Sequence, residues 1–357
     1  MSNQGTYQAG YQAGYQAALL VNSQAQPSHL KTQAPYQPPV SYPPQEPQIK
    51  PRPQLPLRPA NSTPKTRNNP LQPYSAQPYP PPPPPRPLLA PQPPQIWQPT
   101  PGTTWNYILS HPLNLSPSPP LLPLSSAEVY ILDLFDTPTP TITALHVQDR
   151  KVVAYFSAGS YENWRPDARS LDDKINANKK TLGKPMDGWA GERWLDVRSE
   201  AVRDVMRRRL DLARDKGFDA VDPDNVDGYD NKNGLGLSRA DAVDYVLWLA
   251  REAHARGLAC GLKNAGDIVP QVLGHVEFAV QEQALQFDDV DAFMPFVRTG
   301  KAVFHVEYPK GENAESKKMN TLVRVEGRER EAALRLRGEG WSSIVKNVKL
   351  DQWVQMD

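Results

Sequence analysis

Two acids stand at the end of the stretch Phe218–Asp224, FDAVDPD, and a third, Glu282, ends the run FAVQEQ over Phe278–Gln283. Side chains of an extended strand alternate between faces. Asp222 and Asp224 therefore share a face with Phe218 and Ala220, while Val221 points the other way, and Glu282 shares a face with Val280. Carboxylates from two nearby strand ends can flank an acetal bond, one attacking the anomeric carbon and the other protonating the leaving oxygen. Other polar residues gather after similar runs: Ser157-Ala158-Gly159-Ser160-Tyr161-Glu162, then Lys263-Asn264, then Glu307-Tyr308. Lys263 has the chemistry for a Schiff base. With Asn264 beside it and acids near, substrate binding is the plainer role.

Other chemistries lack their residues. A calcium loop of the EF-hand type fails where Pro223 and Tyr229 stand, and Asp227 and Asp230, beside Gly228 and Asn231, read as turn formers. The six histidines show no metal-ligand spacing, and the single Cys260 permits neither a disulfide nor a cysteine-based zinc site. Gly159-Ser160 does not complete a GxSxG elbow. No metal and no cofactor are expected. Trp164, Trp189 and Trp194 suit either sugar stacking or a core.

Positioning these residues requires strands that end together. Eight short apolar runs fit: Val129–Phe135, Val152–Phe156, Trp194–Val197, Phe218–Asp224, Leu258–Asn264, Phe278–Gln283, Ala302–Tyr308 and Ser342–Lys346. Helical spacing separates them most clearly at Ser199–Lys216 and Ser238–Arg256, each opened by a serine N-cap and followed by a glycine, Gly217 or Gly257. Strands alternating with helices over some 230 residues predict an α/β fold, a (β/α)8 TIM barrel with its site at the C-terminal strand ends. A doubly wound open sheet is the alternative. It would more often carry a Gly-rich phosphate loop after its first strand, and none is present.

The chain divides by composition. Residues 1–123 hold 32 of the 40 prolines and a net charge of +6, whereas residues 124–357 carry a net charge of −5. The tail contains a YQAG repeat from Tyr7 and six consecutive prolines at Pro80–Pro85. Such a segment buries too little apolar area to offset its ordering entropy, which predicts a disordered, polyproline-leaning tail over 1–100 and a folded domain over 101–357. A fold element is expected to begin near Trp105-Asn106-Tyr107. Arg86-Pro87 beside the proline run has the composition of an SH3- or profilin-type ligand, although any proline run this long matches by chance. The acidic second segment argues against nucleic acid as a partner. No run of about 18 apolar residues exists to span a membrane. The N-terminus has no basic region, and its apolar run is too short for a signal peptide.

Several motifs in order resemble glycoside hydrolase family 114. They are Val153–Glu162 (VAYFSAGSYE), Trp189–Arg198 (WAGERWLDVR), Gly217–Tyr229 (GFDAVDPDNVDGY), His254–Asn264 (HARGLACGLKN), Ala279–Gln283 (AVQEQ), Gly300–Tyr308 (GKAVFHVEY) and Ser342–Val354 (SSIVKNVKLDQWV). The resemblance runs from about Trp105 to the C-terminus. It implies a barrel glycoside hydrolase acting endo on α-1,4-linked galactosamine-containing polysaccharide, with Asp224 as nucleophile and Glu282 as acid/base in a retaining mechanism. Tyr155, Asp222, Asn225, Lys263, Asn264, Glu307 and Tyr308 are then expected to line the substrate subsites. Family members imply an extracellular enzyme, while the N-terminus shows no export signal. An acidic cleft would attract a polymer of ammonium groups. Two other functions compete: a catalytically silent sugar-binding barrel with an adaptor tail, and a Lys263 Schiff-base lyase.

Overall fold

Every second residue of eight short parallel strands faces one shared interior. The computed structural model describes residues 96–113, 115, 126–173, 180–314 and 316–357. The strands are β1 (Trp105–Ile108), β2 (Val129–Asp133), β3 (Lys151–Ser157), β4 (Ala220–Asp224), β5 (Ala259–Lys263), β6 (Phe278–Glu282), β7 (Val303–Glu307) and β8 (Ser342–Lys346). They hydrogen-bond in chain order, and a short antiparallel strand, Val354–Gln355, joins the far side of β8. The helices are α1 (Thr139–His146), α2 (Glu200–Lys216), α3 (Arg239–His254), α4 (Val269–Val272), α5 (Val290–Arg298) and α6 (Gly327–Leu334). This is the expected (β/α)8 barrel.

One strand assignment is corrected. Trp194–Val197 does not enter the barrel. Residues 192–195 form the middle of a three-stranded antiparallel sheet with Ser160–Glu162 and Leu182–Pro185, an excursion between β3 and α2. Trp105–Ile108, flanked by prolines, supplies the missing barrel strand instead.

Between β8 and β1 side chains bridge the seam. The Trp105 indole donates to the Ser342 carbonyl at 2.5 Å, and the buried Lys346 amine donates to Asn106 Oδ1 at 2.9 Å. Burial pulls the Lys346 pKa down to about 7. Leu109 N–H adds a bond to the Leu350 carbonyl at 2.9 Å.

Two apolar layers hold the barrel. Inside it, Trp105, Phe278 and Phe304 pack ring against ring, with centroids 5.3 Å and 5.4 Å apart for the two pairs that share Phe304. Gly261 leaves room for Phe278, because a Cβ there would stand 2.4 Å from the ring. Trp97 packs on Phe278 with centroids 6.1 Å apart, and Ala302 N–H donates to the Pro99 carbonyl at 3.3 Å. Residues 97–99 thus touch the barrel although they precede the boundary expected at residue 101. Between barrel and helices, the buried faces of α2 (Val202, Met206, Leu210) and α3 (Val246, Leu249, Ala253) cover the outward residues Val221 and Cys260. Ser238 caps α3 in a capping box with Asp241, and Gly217 ends α2 at φ 91°, a conformation that favours glycine.

Among the described residues, no helix is long and apolar enough to cross a membrane. The YQAG repeat, the proline run and Arg86-Pro87 lie outside the described residues.

Candidate active site

Strand register decides which polar groups meet. Tyr155 of β3 lies opposite Asp222 of β4, Ser157 opposite Asp224, and Lys263 of β5 opposite Val280 of β6. Inward parity therefore brings Tyr155, Asp222, Asp224, Lys263 and Glu282 to one end of the barrel interior. Lys263 sits at the centre, its side chain fully buried, with its Nζ 3.2 Å from Asp224 Oδ1 and 3.2 Å from Glu282 Oε2.

Each acid is held from more than one side. Asp224 Oδ2 accepts from the Tyr155 hydroxyl at 2.9 Å, and its Oδ1 accepts from the Asn225 backbone N–H at 2.8 Å. Glu282 Oε1 accepts a short hydrogen bond from the Tyr308 hydroxyl, and the Glu282 backbone N–H donates to Asn264 Oδ1 at 3.2 Å. Asp222 lies one layer deeper and accepts from the Tyr107 hydroxyl at 3.3 Å. Lys263 in turn donates to Tyr107 Oη at 3.1 Å.

The electrostatics follow from three acids around one cation. Burial pushes the Asp222 pKa up to about 7; Lys263 opposes this, and the Asp224 and Glu282 charges add to it. Burial likewise raises Glu282, with Lys263 opposing and Asp224 adding. Burial would depress Lys263, but Asp224, Glu282 and Asp222 together drive it well above the usual lysine range. Lys263 is therefore a fixed ammonium, and a fixed ammonium is no nucleophile for a carbonyl.

The strand ends share a backbone device. Asn225, Asn264 and Gln283, each directly after an inward charged residue, take positive φ values of 62°, 46° and 56°. These turns reverse the chain at the mouth and leave the preceding side chain pointing in. Gly159 permits the tightest of them, since a Cβ there would fall 1.7 Å from the Asn225 carbonyl oxygen. Asn225 Nδ2 donates to Ser157 Oγ at 2.9 Å. Ser157 and Ser160 hydroxyls are 2.6 Å apart, and Ser160 Oγ donates to the buried Glu192 at 2.7 Å. Behind them Arg165 pairs with Asp133 at 2.8 Å and Glu162 at 2.9 Å, and Arg209 with Asp167 at 2.8 Å.

Of the nine residues expected at the site, the structure groups Asp224, Glu282, Tyr155, Asp222, Asn225, Lys263, Asn264 and Tyr308. Glu307 stands apart. Its neighbours in sequence, Val306 and Tyr308, belong to the inner cluster, so Glu307 faces the helices. There it accepts from the Leu285 N–H at 2.9 Å and pairs with His305 Nε2 at 2.9 Å, which fixes the loop after β6. The sequence expectation takes Glu307 and Tyr308 together, whereas strand alternation sends them to opposite faces. Trp189 and Trp194 are buried, and Trp194 packs over Gly228. Tyr107 was read only as the start of a fold element. Its parity with Trp105 on β1 was the available signal for an inward role.

Comparison with known proteins places this arrangement. A family model described as glycoside-hydrolase family GH114 matches residues 86–357. The crystal structure of Aspergillus fumigatus Ega3 in complex with galactosamine is 45% identical, covering 73% of this chain and 97% of that chain with a TM-score of 0.66. The glycoside hydrolase domain of PelA from Pseudomonas aeruginosa is 17% identical over 71% of this chain and 98% of that chain, with a TM-score of 0.52, a likeness of fold alone. An uncharacterized protein of Deinococcus radiodurans is 26% identical over 204 residues, 52% of this chain and 66% of that protein, so the chain spans just under two thirds of that relative's length.

Proposed function

The chain belongs to glycoside-hydrolase family GH114, and from that premise we propose that this glycoside hydrolase cleaves α-1,4-linked galactosamine polymers internally, with retention of configuration. The substrate reading is supported by the similarity to Ega3, whose crystals hold galactosamine. The observation that carries the mechanism is the Lys263 bridge. An ammonium 3.2 Å from each acid draws Asp224 Oδ1 and Glu282 Oε2 to within about 6.4 Å of each other, which admits the roughly 5–5.5 Å separation of a retaining pair.

Asp224 attacks the anomeric carbon from the face opposite the leaving group. Glu282 gives its proton to the glycosidic oxygen, and the chain end departs as an alcohol. The β-linked glycosyl ester on Asp224 is then opened by water on the α face, as Glu282 takes one of that water's protons. Water adds across the bond, the new end is the α-anomer, and both acids return to their starting states. Tyr155 and the Asn225 N–H aim Asp224 at the carbon. Burial and the Asp224 charge favour the protonated form of Glu282 that the first step consumes.

Neither competing reading gains support. A lyase needs a neutral Lys263, and three carboxyl groups hold it charged. A silent binder needs no acid pair aligned by separate donors, yet both acids have them. Release of reducing ends from deacetylated α-1,4-galactosamine polymer, measured beside chitosan and a neutral α-glucan, tests the assignment. Selective release from the first supports it. Equal release from the glucan, or none from any, overturns it.

A further inference from the structure

Glu192 is a buried acid that the proposed steps do not use. It lies in the small antiparallel sheet between β3 and α2, directly opposite Glu162, and is 3% exposed. A row of hydrogen bonds leads from it to the active site. Ser160 Oγ donates to Glu192 Oε2 at 2.7 Å, and the Ser157 and Ser160 hydroxyls stand 2.6 Å apart. Ser157 Oγ already accepts twice, from the Ser160 N–H at 3.0 Å and from Asn225 Nδ2 at 2.9 Å. A hydroxyl has two acceptor sites and one proton, so the Ser157 proton goes to Ser160 Oγ. The row therefore runs one way, from the Asn225 amide through Ser157 and Ser160, and it ends on Glu192.

We propose that Glu192 is a positioning residue for Asp224, the acceptor that terminates this row and so locks the Asn225 turn whose N–H aims the nucleophile. The proposal rests on the reading of Asp224 as the nucleophile of a glycosidase. Asn225 stands at φ 62°, where a residue with a Cβ is strained and asparagine is held by bonds from its own side chain. The Nδ2 bond to Ser157 supplies that hold, and the Asn225 backbone N–H donates to Asp224 Oδ1 at 2.8 Å. The same segment grips the Asp224 main chain, since the Ala158 and Gly159 N–H groups donate to the Asp224 carbonyl at 2.8 Å and 3.0 Å. Without its terminal acceptor the Ser160 proton turns back toward Ser157, which then meets three donors with two acceptor sites. The Asn225 amide, the donor from another strand, is the one displaced. Burial, then the charge of Glu162, pushes the Glu192 pKa well above the ordinary carboxylate range, and the Asp224 charge adds to this. A neutral acid still presents an oxygen acceptor and sets no second charge against the nucleophile. Arg209 holds the Ser157 carbonyl separately at 2.6 Å, so the strand end has an anchor besides Glu192.

The test uses a deacetylated α-1,4-galactosamine oligomer with the intact chain and its Glu192→Met, Glu192→Gln and Ser157→Ala variants, each first shown to unfold cooperatively. In Glu192→Met, kcat should fall by about tenfold to a hundredfold, the cost of misplacing a reacting group by up to about 1 Å, with KM unchanged. Glu192→Gln keeps an oxygen acceptor at that place and should retain most of the wild-type kcat. Ser157→Ala should show the same split as Glu192→Met, and combining the two should lower kcat no further, because one row is broken once. Where Glu192→Met does not fold, Glu192→Asp, which draws the acceptor back by one methylene, carries the same prediction. Wild-type kcat in Glu192→Met at a lowered melting temperature would overturn the proposal, as would a loss carried by KM or multiplied losses in the double variant. A Glu192→Gln as impaired as Glu192→Met would also overturn it, since the charge and not the acceptor would then matter. No turnover by the wild type would overturn the glycosidase reading instead. Crystal structures then decide the positioning role alone: in Glu192→Met the Asn225 N–H should leave Asp224 Oδ1, and a contact kept at its wild-type length refutes the proposal.

Discussion

At the residue scale the site is a charge-balance problem with three acids and one lysine. Burial favours the protonated forms of Asp222 and Glu282 beside the Lys263 ammonium, and a protonated Glu282 is the form the proposed first step needs. Asp224→Asn and Glu282→Gln should each lower turnover by at least about a thousandfold while thermal unfolding stays cooperative, because each removes one of the two groups proposed to act together on the bond. Lys263→Met should destabilise the fold by roughly 3–5 kcal/mol in denaturant titration, since it strips buried acids of their cation. Asp222 gives a pH signature. Its pKa rises on folding from the ordinary 3.8 to about 7. Between those values the folded chain keeps a proton that the unfolded chain has lost, so the contribution of Asp222 to stability falls as pH rises through that window. Melting curves of Asp222→Asn and wild type, compared at pH 4 and pH 7, should shift in favour of the variant at the higher pH. An unchanged difference would place the Asp222 proton elsewhere. The acids themselves were legible in the sequence because strand alternation is strict. Glu307 was not, because its assignment came with Tyr308 as a neighbour rather than from parity.

At the element scale the mouth depends on turns that put Asn225, Asn264 and Gln283 in the left-handed region after an inward side chain. Gly159→Ala tests this most sharply. The new Cβ would meet the Asn225 carbonyl oxygen at 1.7 Å, so the backbone that donates to Asp224 must move. The variant should unfold cooperatively at a lower temperature and lose a larger share of kcat than of KM, since Asp224 is aimed by the displaced turn. Wild-type kcat at a lowered melting temperature would show that the turn holds the fold and not the nucleophile. Helices α2 and α3 were readable from the serines that precede them and their closing glycines, although only Ser238 caps its helix through its side chain, and Ser199 makes no such bond. The residue run Trp194–Val197 was misplaced for a physical reason. A small antiparallel sheet and a barrel strand present the same local apolar pattern, and only long-range pairing separates them. Trp105–Ile108 was hard to place as a strand because prolines crowd its flank.

At the scale of the whole molecule, closure of the barrel brings its last parallel strand, β8, beside its first, β1. Lys346 and Trp105 bridge that seam, and Trp97 packs on Phe278 at the barrel's inner ring cluster. A shortened chain beginning at Arg86 should therefore melt as the full chain does. One beginning at Thr103 loses Trp97 and should melt several degrees lower, since about 1 kcal/mol moves a domain of this size by roughly 2–4 °C. Equal melting of the two would show that residues 97–99 add nothing to the barrel. The central claim, that Asp224 and Glu282 hydrolyse an α-linked galactosamine chain with retention, is tested most directly by proton NMR of a deacetylated α-1,4-galactosamine oligomer in the first minutes after enzyme is added. New reducing-end signals should appear first as the α-anomer and drift to the equilibrium mixture only by mutarotation. Early accumulation of the β-anomer would contradict the account and make Asp224 a general base rather than a nucleophile.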